Sequence, residues 1–154
     1  MKLQDMLQNQ YFCRGLAPQT QAFLLDCARL ELFEPGQKLL KTGSLADEFY
    51  LIHQGHVAIE VIGPQAELLQ VEILDAGDMV GWSWLVKPYR YQFDARALDQ
   101  VQAIRFDARC LRGKIETDHE FGFHLLQKII EVMAGRINHS RLQLLDLYQR
   151  HEAP

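Results

Sequence analysis

The 154-residue chain has room for one domain, large enough to bury about two-thirds of the surface its unfolded form exposes. Its net charge of −4 argues against direct contact with nucleic acid, because a phosphate backbone rewards clustered cations; Arg136, Arg141 and Arg150 are instead diluted by Glu131, Asp146 and Glu152. No apolar run approaches the roughly 20 residues that cross a bilayer, and the start has no signal-peptide core, so a cytoplasmic protein without membrane contact is expected.

In chain order, the spacing of Phe23, Leu24, Cys27, Ala28 and Leu30 predicts a helix over 18–30, with Pro18 in its first turn. Glu34-Pro-Gly-Gln37 is a turn signal, since proline fixes φ and glycine admits positive φ. Short apolar runs then alternate with glycine-bearing turns. Leu39-Leu40, Phe49–Ile52, His56–Ile62, Leu68–Leu74 and Val101–Phe106 are the expected strands, bounded by Gly43, Gly55, Gly63-Pro64 and Gly77. Regular strands at this spacing predict a mainly β fold with flanking helices, a double-stranded β-helix or jelly roll. Cys13, Cys27 and Cys110 are odd in number and widely spaced, with no Cys-x-x-Cys; they are expected to be small apolar core residues.

From about Asp118 the period becomes helical. Phe123, Leu126, Ile130, Met133, Ile137, Ser140, Leu144 and Leu147 follow an alternating 3,4 spacing, the seam of a coiled coil over more than three heptads. Roughly 30 residues of helix extend about 45 Å, more than a small jelly roll needs to cover one face. A homodimer through this helix is therefore expected, with Ser140 as the polar position of the seam. The division of the chain is 1–32 as an N-terminal helical segment, 33–108 as the jelly roll and 118–150 as the long helix, all within one domain of residues 1–154.

The stretch from Gly77 to Ala97 carries the most information. Gly77-Asp78, Gly81 and an arginine-bearing loop followed by Asp94-Ala-Arg-Ala97 resemble the phosphate-binding cassette of cyclic nucleotide-binding domains. Phe12-x-x-Gly15-Leu16, Phe33-x-Pro35-Gly36-Gln37, Ala46–Ile52 with Gly55-x-Val57, and Arg136-Ile-x-x-Ser140-Arg-Leu142 extend the likeness over nearly the whole chain. The chain thus resembles the sensory half of the catabolite activator and FNR-type (Crp/Fnr) regulators. The resemblance implies a regulatory sensor domain without enzymatic activity. It also implies a cyclic nucleotide or another small anion as ligand, a homodimer, and output to a separate downstream protein. The family's winged helix-turn-helix has no counterpart before Pro154, so a stand-alone module without direct DNA contact is expected.

The resemblance places ligand contacts at Gly77, Gly81, Trp82, Ser83, Arg90, Tyr91 and Ser140. Two departures bear on it. Trp82 stands where the family has the glutamate that holds the sugar hydroxyl, a loss of about 1–3 kcal/mol. Arg90 is about one residue from the phosphate-binding arginine's place, and Tyr91 competes for that position. Arg90 is either an anion clamp or a surface residue stacked on Tyr89 or Tyr91. Trp82 and Trp84, read as alternating on a strand edge, project to one face, where they either stack on a planar ligand or fill the cavity. His53, His56 and Glu60 lack a metal-site spacing, and no nucleophile elbow or Walker loop is present. The favoured function is a small-molecule sensor, its ligand a small anion, that signals through its dimer helix to a separate partner; the alternative is a dimeric interaction module whose pocket is filled.

Overall fold

The computed structural model describes residues 2–152; Met1, Ala153 and Pro154, on which the readings of the chain ends rest, lie outside the described residues. Helices α1 (Leu3–Gln8) and α2 (Pro18–Asp26) precede eight strands: β1 (Ala28–Phe33), β2 (Lys38–Leu40), β3 (Glu48–Gln54), β4 (Val57–Ile62), β5 (Leu68–Leu74), β6 (Met79–Val80), β7 (Asp94–Ala97) and β8 (Val101–Asp107). Helices α3 (Ala108–Thr117) and α4 (His119–Glu152) follow. The strands form two four-stranded antiparallel sheets, ordered β1-β8-β3-β6 and β2-β7-β4-β5, the expected jelly roll. Among the described residues no helix is long and apolar enough to cross a membrane.

The four consecutive buried residues Phe49–Ile52 of β3 need cover on both faces. Met6, Leu7 and Phe12 from the N-terminal segment and Phe121, Leu125 and Ile129 from α4 belong to the same core and supply part of it. Each such side chain contributes about 1.5–3 kcal/mol on leaving water. Gly55 is required where β3 turns into β4: its φ is +105°, and a Cβ there would lie 2.5 Å from the Gln100 carbonyl oxygen.

Three expectations are corrected. The helix expected over 18–30 ends at Asp26, with Pro18 in its first turn as anticipated, and residues 28–33 form a strand instead. Every residue of β1 pairs with β8, from Ala28 opposite Phe106 to Phe33 opposite Val101. A neighbouring strand edge outweighs a helical apolar spacing that ran only one turn too far. A further helix, α3, fills the span between jelly roll and long helix that had no assignment; the Asp107 carboxylate caps it, accepting hydrogen bonds from the Arg109 and Cys110 amides. Finally, Cys27 and Cys110 are not independent core residues but are joined as a disulfide, while Cys13 is free and buried.

The long helix α4 has two faces. Its inner face, Phe121, Leu125 and Ile129 with the half-buried Val132, packs on the roll. Its outer face carries the heptad seam: Phe123, Ile130, Ile137, Leu144 and Leu147 are 52–66% exposed, and Leu126 and Met133 are half-buried. Beyond Arg136 every described residue through His151 is exposed, so the C-terminal part of α4 runs clear of its own roll.

His56, outside any site, sets one pH dependence. Its Nδ1 lies 2.7 Å from Asp99 Oδ2 and its backbone N–H donates to Asp99 Oδ1 at 2.8 Å. The hydrogen bond and the charge of Asp99 raise the imidazole above its ordinary value of 6.5. A raised histidine contributes stability in full below its unfolded value and loses it as pH rises through the folded one. Thermal melts from about pH 6 upward should therefore fall slightly for the parent protein and stay flatter for His56→Gln, with a parallel pair of curves refuting the assignment.

Candidate functional site

The cassette is built from β6, the turn after it and the loop that returns to β7. Gly77 N–H donates to Ile52 O at 2.8 Å and Ile52 N–H to Asp78 O at 3.0 Å, which ties the leading turn to β3. Burial pushes the Asp78 carboxyl above its usual range, against the hydrogen bond it accepts from the Asp75 amide, while the Asp75 side chain adds to the rise. Gly81 has φ +99°, and a Cβ on it would meet Leu40 Cδ1 at 3.3 Å, so the backbone here needs glycine for both conformation and space.

The expectation of Trp82 and Trp84 alternating on a strand edge is overturned. Ser83–Leu85 forms a 3₁₀ turn, and the two indoles take different roles. Trp82 is half-buried, with its ring 6.4 Å from that of Phe93. Trp84 is fully buried and stacks on Phe49 at 4.7 Å and 4°; Phe49 stacks in turn on Phe106 at 4.7 Å and 12°. Trp84 is thus one end of a three-ring stack in the core. The turn makes this placement by breaking the period of two that a strand would have imposed.

The loop after the turn is stitched to residues 43–48. Ala46 N–H donates to Tyr89 O at 2.7 Å, Tyr91 N–H to Ser44 O at 3.0 Å and Gly43 N–H to Tyr91 O at 2.9 Å. Arg90 is exposed, and its Nη1 donates to Gly43 O at 2.8 Å. Tyr91 is buried; its hydroxyl donates to Glu48 O at 2.6 Å and accepts from Glu48 N–H at 3.3 Å. Burial also pushes the Tyr91 phenol well above its ordinary range, so it stays neutral. The side chain in the arginine's neighbourhood is therefore a neutral phenol already committed to β3.

Gly81, Trp82 and Ser83 lie just after β6, and Arg90 and Tyr91 on the loop that returns to β7. Gly77 lines a cleft of about 620 Å³ between β5 and α4, with Glu72, Asp78, Glu131, Arg136 and His139. Ser140 is exposed on α4, beyond the part that packs on the roll. Two polar atoms of the cassette, Ser83 Oγ and Trp84 Nε1, are buried without a hydrogen-bond partner.

Two arginines not expected at the site connect this cassette to the helices. Arg136 of α4 donates to Met79 O from Nη1 and to Glu72 Oε2 from Nη2, both at 3.0 Å. Arg112 of α3 donates to Trp84 O at 2.9 Å and Ala46 O at 3.2 Å, and its guanidinium lies 4.9 Å from the centre of the Tyr89 ring. Arg136 stands four positions after Val132, on the inner face of α4; that register was a signal available in the sequence. Arg112 had none, because α3 itself was not anticipated. Elsewhere, Glu60 is buried and held by Arg96 Nε and Nη2 at 3.0 Å each, so its carboxylate is already paired.

A jelly roll with a glycine-shaped cassette and a long helix docked by an arginine is the fold of cyclic nucleotide-binding domains. The model of the cyclic nucleotide-binding domain family matches residues 30–118, more than half of the chain, and the protein belongs to that family. Among solved structures, a cyclic nucleotide-binding protein from Geobacter metallireducens, described as putative in its own name, is similar at 23% identity and TM-score 0.79, over 89% of this chain and 99% of that one. The sensor domain of the transcriptional regulator DNR from Pseudomonas aeruginosa is similar at 21% identity and TM-score 0.68, over 88% of this chain and 91% of that one. The regulatory subunit of a cAMP-independent protein kinase A from Trypanosoma brucei is similar at 21% identity and TM-score 0.69, over 90% of this chain and 49% of that one. No curated protein sequence matches the chain significantly.

Proposed function

We propose that this protein is a regulatory module of the cyclic nucleotide-binding fold that does not use the family's nucleotide and acts as a dimer, through α4, on a separate protein. One observation carries the reading. The cassette presents aromatic rings and a backbone-bound phenol where the nucleotide's sugar and phosphate need an acceptor and a cation: Trp82 lies against Phe93, Tyr91 is hydrogen-bonded to Glu48, and Arg90 is exposed with one donor on Gly43. A sugar hydroxyl brought there would lose water without an acceptor, and a cyclic phosphate would have to draw the exposed Arg90 away from Gly43 O. The trypanosome relative, by its name a cAMP-independent regulatory subunit, is a precedent within the same fold. No catalytic group is assigned to the module.

A second reading is favoured by Ser83 Oγ and Trp84 Nε1. Two buried polar atoms without partners are what a small anion in the cassette would satisfy, and the protein would then be a sensor for that anion. Isothermal titration of refolded protein with cyclic AMP tests the first reading. No heat up to millimolar nucleotide is expected. Micromolar binding that disappears in Arg90→Ala would overturn it in favour of the sensor.

A further inference from the structure

Cys27 lies at the C-terminal end of α2 and Cys110 in the first turn of α3, 83 positions apart in sequence and joined as a disulfide. The two residues differ in exposure: Cys27 is buried, whereas Cys110 is exposed. Both line a cleft of about 470 Å³ of mixed charge, in which Arg105 and Arg109 are paired with Glu48 and Asp47.

Non-covalent contacts hold the same elements together. Asp107 N–H donates to Cys27 O and Ala108 N–H to Asp47 O, each at 2.9 Å. Arg109 grips the Asp47 carboxylate with Nε at 3.1 Å and Nη2 at 2.8 Å. Opening the disulfide therefore removes one constraint from a joint that keeps its hydrogen bonds, so oxidised and reduced forms share the fold. Two residues along from Cys110, Arg112 donates to the Trp84 carbonyl and covers the Tyr89 ring. A change at the start of α3 thus reaches the cassette through one side chain.

We propose that Cys27–Cys110 is a redox modification site, a disulfide that opens and closes by exchange with small thiols and whose state Arg112 passes to residues 83–91. A thiolate RS⁻ attacks the sulfur of Cys110, the exposed residue of the pair; the S–S bond breaks, Cys27 leaves with the electron pair and takes a proton, and Cys110 carries the mixed disulfide. A second RS⁻ attacks the RS sulfur of that mixed disulfide, forming RSSR and releasing Cys110 as a thiolate, which takes a proton. The protein disulfide gains two electrons and two small thiols lose them; closure by RSSR is the reverse.

The full chain is equilibrated in buffers of reduced and oxidised glutathione, its free thiols are counted by alkylation and mass spectrometry, and amide hydrogen exchange is followed. Cys27 and Cys110 should convert together as one two-electron couple. Cys13, whose thiol burial pushes up to about 12, should stay reduced throughout. Exchange over residues 83–91 should quicken at least about threefold on reduction. A bond that never forms in oxidised glutathione, one that resists excess dithiothreitol in the folded protein, or equal exchange over 83–91 in the two states would each overturn the proposal. Cys110→Ser supplies a second arm, because it cannot close the bond. It should exchange over 83–91 like the reduced parent, and exchange like the oxidised parent refutes the coupling.

Discussion

In the dimer proposed above, the double substitution Ile130→Asp, Ile137→Asp is expected to separate the protomers, raising the dimer dissociation constant by at least about four decades. Both residues lie on the outer face of α4 and are more than half exposed within one protomer, so their removal costs the protomer little. In a two-fold interface each change counts twice. Four isoleucines that each contribute about 1.5 kcal/mol or more on burial amount to at least about 6 kcal/mol. The introduced carboxylates, facing one another across the seam, add repulsion. Sedimentation velocity checks the oligomer, and far-UV circular dichroism should be unchanged. If the variant sediments as the parent does, the seam is not the dimer surface. Leu142, Leu145 and Tyr148 are also exposed on the projecting end of α4, and they were not part of the expected seam. The apolar surface there is broader than a single 3,4 stripe, and disruption confined to Leu144 and Leu147 should have a smaller effect.

Trp84→Ala is expected to destabilise the fold by about 3–5 kcal/mol, whereas Trp82→Ala should cost only about 1 kcal/mol. Trp84 is fully buried and stacked on Phe49, so its loss removes both the transfer of a large ring from water and its contacts in a rigid stack. Trp82 is half-buried and leaves less empty space behind. Urea unfolding of the two variants, read by circular dichroism because the fluorophores change, gives the comparison. Equal costs would mean that Trp84 is not a structural residue. A stable Trp84→Ala variant would in turn support a ligand-stacking role for that indole and weaken the filled-pocket function proposed above.

Much of the roll was legible in the sequence because its punctuation is local. Gly55 and Gly77 mark turns that demand positive φ, and the strands between them are short alternating or continuous apolar runs. The frame of the cassette was legible for the same reason: Gly81 is needed there for conformation and space, whatever the ligand. The contents of the cassette were less so. Trp82 and Trp84 are two residues apart and would share a face on a strand, yet a 3₁₀ turn sends one into the core stack and leaves the other against Phe93. Arg90 and Tyr91 are adjacent, and only the hydrogen bonds of the loop to residues 43–48 decide which of them is buried.

By itself, the sequence determined the jelly roll, the family and the long helix, since each is written in residue type at a fixed local spacing. The tertiary structure alone decided that residues 28–33 are a strand beside β8, that Cys27 meets Cys110, and that Arg112 and Arg136 tie the cassette to α3 and α4. Each of these joins residues at least 28 positions apart in the chain. Such pairings depend on where sheets and helices come to rest against one another, and a helical or strand period read within a short window carries no record of that.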